Sequence, residues 1–174
     1  MTPVELDADL IPGTSAAGFS IGVRLSDCRR LLREAAVVEY RPGFNLVEAV
    51  DRNTGVLVVR NYFPLGSGHT AVFYGADVVR LGFNANEELF EVSVHEGYRG
   101  RAFGRVGIGS HLREVRELFP VFYDGGDEMY YPDRGLAPDA PLGIAFHAPQ
   151  EEQPDRAAIL GISVHDWELM RHQG

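Results

Sequence analysis

The segment Ile108-Gly109-Ser110-His111-Leu112-Arg113-Glu114-Val115-Arg116-Glu117-Leu118-Phe119 has a near double earlier in the chain, Ile21-Gly22-Val23-Arg24-Leu25-Ser26-Asp27-Cys28-Arg29-Arg30-Leu31-Leu32. Five of the twelve positions are identical, and Cys28 stands where Val115 does, so the apolar phase is kept. Leu112, Val115, Leu118 and Phe119 recur near helical spacing, with Arg113, Glu114, Arg116 and Glu117 between them. Each copy therefore predicts an amphipathic helix with one face on a core. The first is expected over 26–36, burying Leu25, Cys28 and Leu31, and the second over 110–119 with Ser110 as its cap. The Ile-Gly that precedes each helix predicts a tight bend, which glycine tolerates.

A second echo closes each half. Val92-Ser93-Val94-His95-Glu96 matches Ile162-Ser163-Val164-His165-Asp166. The helical copies lie further apart than the closing copies, so the first unit carries about one extra hairpin. A front and a back that recur in the same order predict duplication of a small unit rather than a solenoid. The expected fold class is α+β: two tandem repeats, each one helix packed on an antiparallel β-meander. Residues 1–17 are expected as an irregular lead-in, 18–97 as the first repeat and 98–174 as the second, together making one compact unit.

Turn residues divide the rest. Asp51-Arg52-Asn53-Thr54-Gly55 separates two expected strands, 44–50 and 56–62, in a hairpin. Strands at 37–40, 70–74, 78–83 and 89–95 complete the first half. Strands at 101–106, 121–123, 128–131, 142–147 and 159–165 belong to the second, and the tail from Trp167 is expected as a short helical piece. Gly104-x-x-Gly107-x-Gly109 before the second helix is not a dinucleotide fingerprint, because Leu112 occupies the place of the third glycine.

Composition limits the class. In 174 residues, 45% are hydrophobic and 24% charged, as in ordinary folded domains. The net charge is −9 and every basic residue is arginine. That balance argues against nucleic acid or an anionic membrane as partner and permits a basic protein. Acids near the start and the lack of an apolar leader predict a cytoplasmic protein, and the single cysteine, Cys28, fits that compartment as a core thiol.

Helix followed by meander, twice over, resembles the tandem-repeat architecture of the β-lactamase inhibitory proteins, and Gly109-x-x-Leu112-x-x-Val115 resembles the helix entry of BamE-type lipoprotein units. The likeness spans most of 18–166, although the disulfides of the former and the lipoprotein signal of the latter are missing here. It implies a non-enzymatic protein that clasps another protein, with no binding residue carried over. An acidic cytoplasmic chain of this build is similar in style to bacterial immunity proteins, which neutralise a toxin or effector.

The candidate partner-binding residues are Tyr123, Asp124, Asp127, Glu128, Tyr130, Tyr131 and Asp133, around the turn Asp124-Gly125-Gly126-Asp127. Tyrosine is a favoured interface anchor and acids steer a basic partner. Tyr130 and Tyr131 must point to opposite faces of their strand, so only one can meet a partner. The turn lacks the further oxygen ligands of a calcium loop. His95 and His165, each followed by an acid, are the alternative site for metal or acid–base chemistry, but as equivalent residues of different copies they are expected to be strand ends. No catalytic residue, metal or cofactor is expected. A small enzyme or ligand-binding sensor with a site between the repeats is the alternative reading.

Overall fold

The computed structural model describes residues 4–150 and 153–171. Parts of the expected lead-in, inter-strand loop and tail (1–3, 151–152 and 172–174) lie outside the described residues. The fold is α+β, built on one large sheet with a few short helices. The small pair β1 (Ser15–Ala16) and β2 (Phe19–Ser20) opens the chain. A 3-10 turn, Leu25–Cys28, runs into helix α1, Arg29–Leu32. Then come β3 (Ala36–Glu39), helix α2 (Leu46–Asp51), β4 (Val56–Arg60), β5 (Thr70–Tyr74), β6 (Val79–Phe83) and β7 (Leu89–Val94). The second half supplies helix α3 (Leu112–Arg116), β8 (Val121–Asp124), β9 (Met129–Pro132), β10 (Ile144–His147), β11 (Gly161–His165) and helix α4 (Trp167–Arg171). The nine-stranded order is β3-β4-β5-β6-β7-β11-β10-β9-β8.

Register explains which face is the core. One row crosses the sheet as Val56, Tyr74, Val79, Val94, Ile162, Phe146, Tyr130 and Tyr123. The next is Val58, Val72, Leu81, Val92, Val164 and Ile144. Alternation along each strand puts both rows on one side. That side joins one buried cluster with Leu25, Cys28 and Leu31 of the first helical segment and Leu112, Val115 and Phe119 of the second. Burial also raises the Cys28 thiol, which stays protonated as a core group.

The opposite face changes character along the sheet. Leu57, Val59, Ala71 and Phe73 are apolar and lie in a second cluster under α2. Arg80, Ser93 and Ser163 then align in one row, and Gly82, Glu91 and His165 in the next. Beyond them stand Tyr131 and its neighbour Phe122.

Several expectations need correction. Residues 44–50 do not form a strand. Asn45 caps α2 by accepting the Glu48 N–H at 3.2 Å, and Glu48 pairs with Arg52 at 2.6 Å. These local bonds outweigh the β propensity of the valines and leave Leu46, Ala49 and Val50 on one side, packed in the second cluster. As a result β3 pairs with β4 in parallel, and the first half is not a pure antiparallel meander on one helix. The lead-in is not irregular throughout: β1 lies within it, and Val4, Leu10 and Ala16 are core residues.

The helices are also shorter than expected. His111, not Ser110, caps α3, with its N–H donating to Glu114 at 2.9 Å. Residues 101–106 make isolated bridges, Ala102 to Val106 and Ala102 to Leu10, rather than an entry strand. Leu118 is 41% exposed while Phe119 is buried. At about 100° per residue, positions i+3 and i+7 from Leu112 return to its face and i+6 falls well off it. Leu112→Ala is therefore expected to cost about 2–5 kcal/mol and Leu118→Ala under about 1 kcal/mol, read from urea unfolding of the two variants. Equal losses would place the helix at a different rotation.

Candidate functional site

The 123–133 hairpin is organised by its own carboxylates. Asp124 accepts the Gly126 N–H at 2.8 Å, Asp127 accepts the Met129 N–H at 3.2 Å, and Asp133 accepts those of Gly135 and Leu136 at 2.9 and 3.1 Å. Such side-chain-to-backbone bonds are the usual chemistry of tight turns. They fix where the negative charge sits. Among the described residues, none of Asp124, Asp127, Glu128 and Asp133 joins an ion pair.

The tyrosines divide as strand alternation requires. Tyr130 is 3% exposed and packs at 5.0 Å against Tyr123 on the core side. It does not reach the surface, so it is unfit to be a contact. Tyr131 lies on the other face, stacked on Phe122 at 5.8 Å. Its hydroxyl donates to Asp127. Burial, with the Asp127 carboxylate next in effect, pushes that hydroxyl above the usual phenol range, so Tyr131 remains a donor.

Trp167, at the start of α4, closes the site from the other side. Its ring stacks on His165 at 4.1 Å and 17°, and Tyr131 meets the same imidazole edge-on at 5.8 Å. Between the hairpin, α4 and the 132–143 loop lies a groove of about 720 Å³. Phe122, Tyr131, Leu142, His165 and Trp167 are among the residues that line it. Phe122 is 46% exposed and Leu142 66% exposed, so apolar surface stands at the mouth. The groove belongs mainly to the second half, with Gly13 the contribution of the lead-in.

His165 also connects the groove to the middle of the sheet. Its Nδ1 is 3.1 Å from Ser163 Oγ. Ser163 and Ser93 both donate to one oxygen of Glu91, at 2.8 and 3.0 Å. With its proton committed to Glu91, Ser163 accepts from His165, which sets the Nδ1–H tautomer. Burial lowers the imidazole to about pKa 4, so it is neutral at pH 7. The three residues look like a catalytic triad only by type. In a nucleophilic triad the histidine takes the serine proton and the acid orients the histidine. Here the acid takes the serine proton directly, and Ser163 is fully buried between strands.

His95 and His165 do not converge. The antiparallel pairing of β7 and β11 sets His165 opposite Glu91, whereas His95 packs on Gly161 near the other end of β11. His95 Nδ1 donates to the Asp77 carbonyl at 2.8 Å, and burial lowers its pKa. Among the described residues no group of three or more His, Cys, Asp or Glu side chains is placed to hold a metal ion. No helix there is long and apolar enough to cross a membrane.

The groove residues Leu142, Trp167 and Phe122 escaped the sequence reading of the site. Phe122 stood in the aromatic stretch, and the lone tryptophan beside a histidine repeat was a further sign. No protein family, characterised protein or solved structure matches the chain.

Proposed function

We propose that the chain is a non-catalytic protein-binding protein of duplicated build, a cytoplasmic immunity protein that neutralises a toxin or effector with a basic surface. The observation that carries this reading is the conjunction at one sheet end of exposed apolar side chains with carboxylates held by backbone bonds and, among the described residues, without ionic partners. An interface patch of this kind combines anchors with charge steering. The duplicated build is supported by the central pairing of Ser93 with Ser163, the serines of the two echoing strands, with β4–β7 on one side and β8–β11 on the other. Gly22 and Gly109, the paired bend glycines, share φ values of +88° and +83°.

The test is co-expression with the product of a neighbouring gene, followed by toxicity rescue and binding kinetics. Tyr131→Ala is expected to raise the off-rate, with a loss of about 2 kcal/mol for an anchor. The double variant Asp124→Asn, Asp127→Asn should slow association several-fold at low salt and little at high salt. Kinetics equal to the parent in both would move the interface away from the hairpin. A ligand-binding sensor is the second reading, favoured by a groove whose volume falls in the range of small-molecule sites.

A further inference from the structure

We propose that the groove between the β8–β9 hairpin and α4 seats a bulky apolar side chain of an extended, arginine- or lysine-rich protein segment; this rests on the protein-binding reading above. The groove is bounded by the exposed apolar groups Phe122 and Leu142 and by a tryptophan whose ring is already stacked on His165. A side chain entering it meets rigid aromatic walls and pays little to order them. The rim selects the flanks of that side chain. Asp133, Asp166 and Glu168 line the groove, with Asp124, Asp127 and Glu128 on the adjoining hairpin, and none of these acids is ion-paired among the described residues. Of the two arginines present, Arg134 spends its guanidinium on the Pro138 carbonyl at 2.9 and 2.8 Å, leaving Arg171 at the α4 side.

The same charges exclude other occupants. A phosphate backbone or anionic lipid surface would meet an acidic rim on a chain of net charge −9. A second copy would bring the same acids against themselves across a two-fold contact. A cationic segment gains at every rim position, and its apolar residue gains from the walls.

Trp167 is the only tryptophan, so its fluorescence reports on the groove alone. The probes are a synthetic peptide of alternating arginine and leucine, its glutamate–leucine counterpart and an arginine–glycine counterpart, titrated at two salt concentrations. The arginine–leucine peptide is expected to change Trp167 emission saturably with one site, at least tenfold more tightly than either counterpart. Leu142→Arg, at an exposed loop position that leaves the fold intact, should weaken it at least tenfold. Glu168→Gln should weaken it a few-fold at low salt only. Equal response to the glutamate peptide, no saturable response to any peptide, or an unchanged Leu142→Arg variant overturns the proposal. So does a dimer in sedimentation that Leu142→Arg dissociates. The two readings fail separately: a Leu142→Arg protein that still neutralises its partner sinks the groove and keeps the protein-binding function. A groove that takes the arginine–leucine peptide, in a chain that rescues no cell from the neighbouring gene product, does the reverse.

Discussion

Gly143→Ala is expected to destabilise the protein by about 4 kcal/mol or more, whereas Gly109→Ala should cost about 1 kcal/mol. Both glycines have positive φ, +76° and +83°, so both alanines would be strained in the left-handed region. The surroundings separate them. A Cβ at Gly143 would lie 2.4 Å from the Gly13 Cα, 2.5 Å from its nitrogen and 2.6 Å from the His165 carbonyl oxygen, all of them backbone. At Gly109 it meets nothing within 4 Å. The crowded site cannot relax by turning a side chain. It also carries a junction: Gly143 O accepts the Gly13 N–H at 2.9 Å and the His165 N–H at 3.0 Å. Relief of the clash must part the lead-in from β11 and open the groove. In a domain of this size the larger loss should lower the melting temperature by on the order of 10 °C, the smaller by about 3 °C. Thermal melts of the two variants decide it, and similar melting points would mean that the 13–143 approach is wrong.

How far the fold was readable depended on the range of the interactions that decide it. The strands β5, β6, β8 to β11 and the bends at Gly22 and Gly109 are set by neighbours in sequence, through alternation and turn residues, and the reading located them closely. The 44–50 segment failed because valine and phenylalanine outweighed a cap signal that was present, Asn45 three residues before Glu48. The parallel pairing of β3 with β4 depends on that helix as the crossover between them, so it was missed with it. Leu118 failed for a simpler reason, since a spacing of six residues does not return to the same helix face. At the site, the division of Tyr130 from Tyr131 was legible from alternation alone. The groove was not, because it exists only when β10 brings the β8–β9 hairpin beside β11 and α4, and that approach joins segments distant in sequence.

The same non-local pairing gives the polar centre of the sheet a physical sense. From Asp127 at the hairpin the connections run through the Tyr131 hydroxyl, by the edge of the Tyr131 ring to His165, which Trp167 covers, and by hydrogen bonds to Ser163, Glu91 and Ser93. Each buried polar group on this route has a partner, as a low-dielectric interior demands. A groove built on such a network keeps one shape before a partner arrives. Loss of one member leaves its neighbour unsatisfied, so variants along the route should couple in energy rather than add.

Acid should expose the histidine in this network. His165 is 3% exposed and its pKa stands at about 4, against about 6.5 in the unfolded chain. Between those values the unfolded state binds a proton that the folded state refuses. Stability therefore falls as pH drops below about 6.5 and the histidine contribution levels off near 4. The shift corresponds to on the order of 3 kcal/mol lost across the window, with none of it felt above pH 7. Burial is the main cause, and Asp166 opposes it. His95, also lowered by burial, tilts the profile in the same direction. The comparison that isolates His165 is thus the difference between the parent protein and His165→Gln, which cannot titrate. Urea unfolding followed by Trp167 emission at a series of pH values from 4 to 8 supplies both curves. The variant should be less stable at pH 8, having lost the stack on Trp167, yet the gap should close or reverse as pH falls toward 4. Parallel profiles throughout would mean that His165 takes up its proton equally in both states, and that the imidazole is not sealed beneath Trp167.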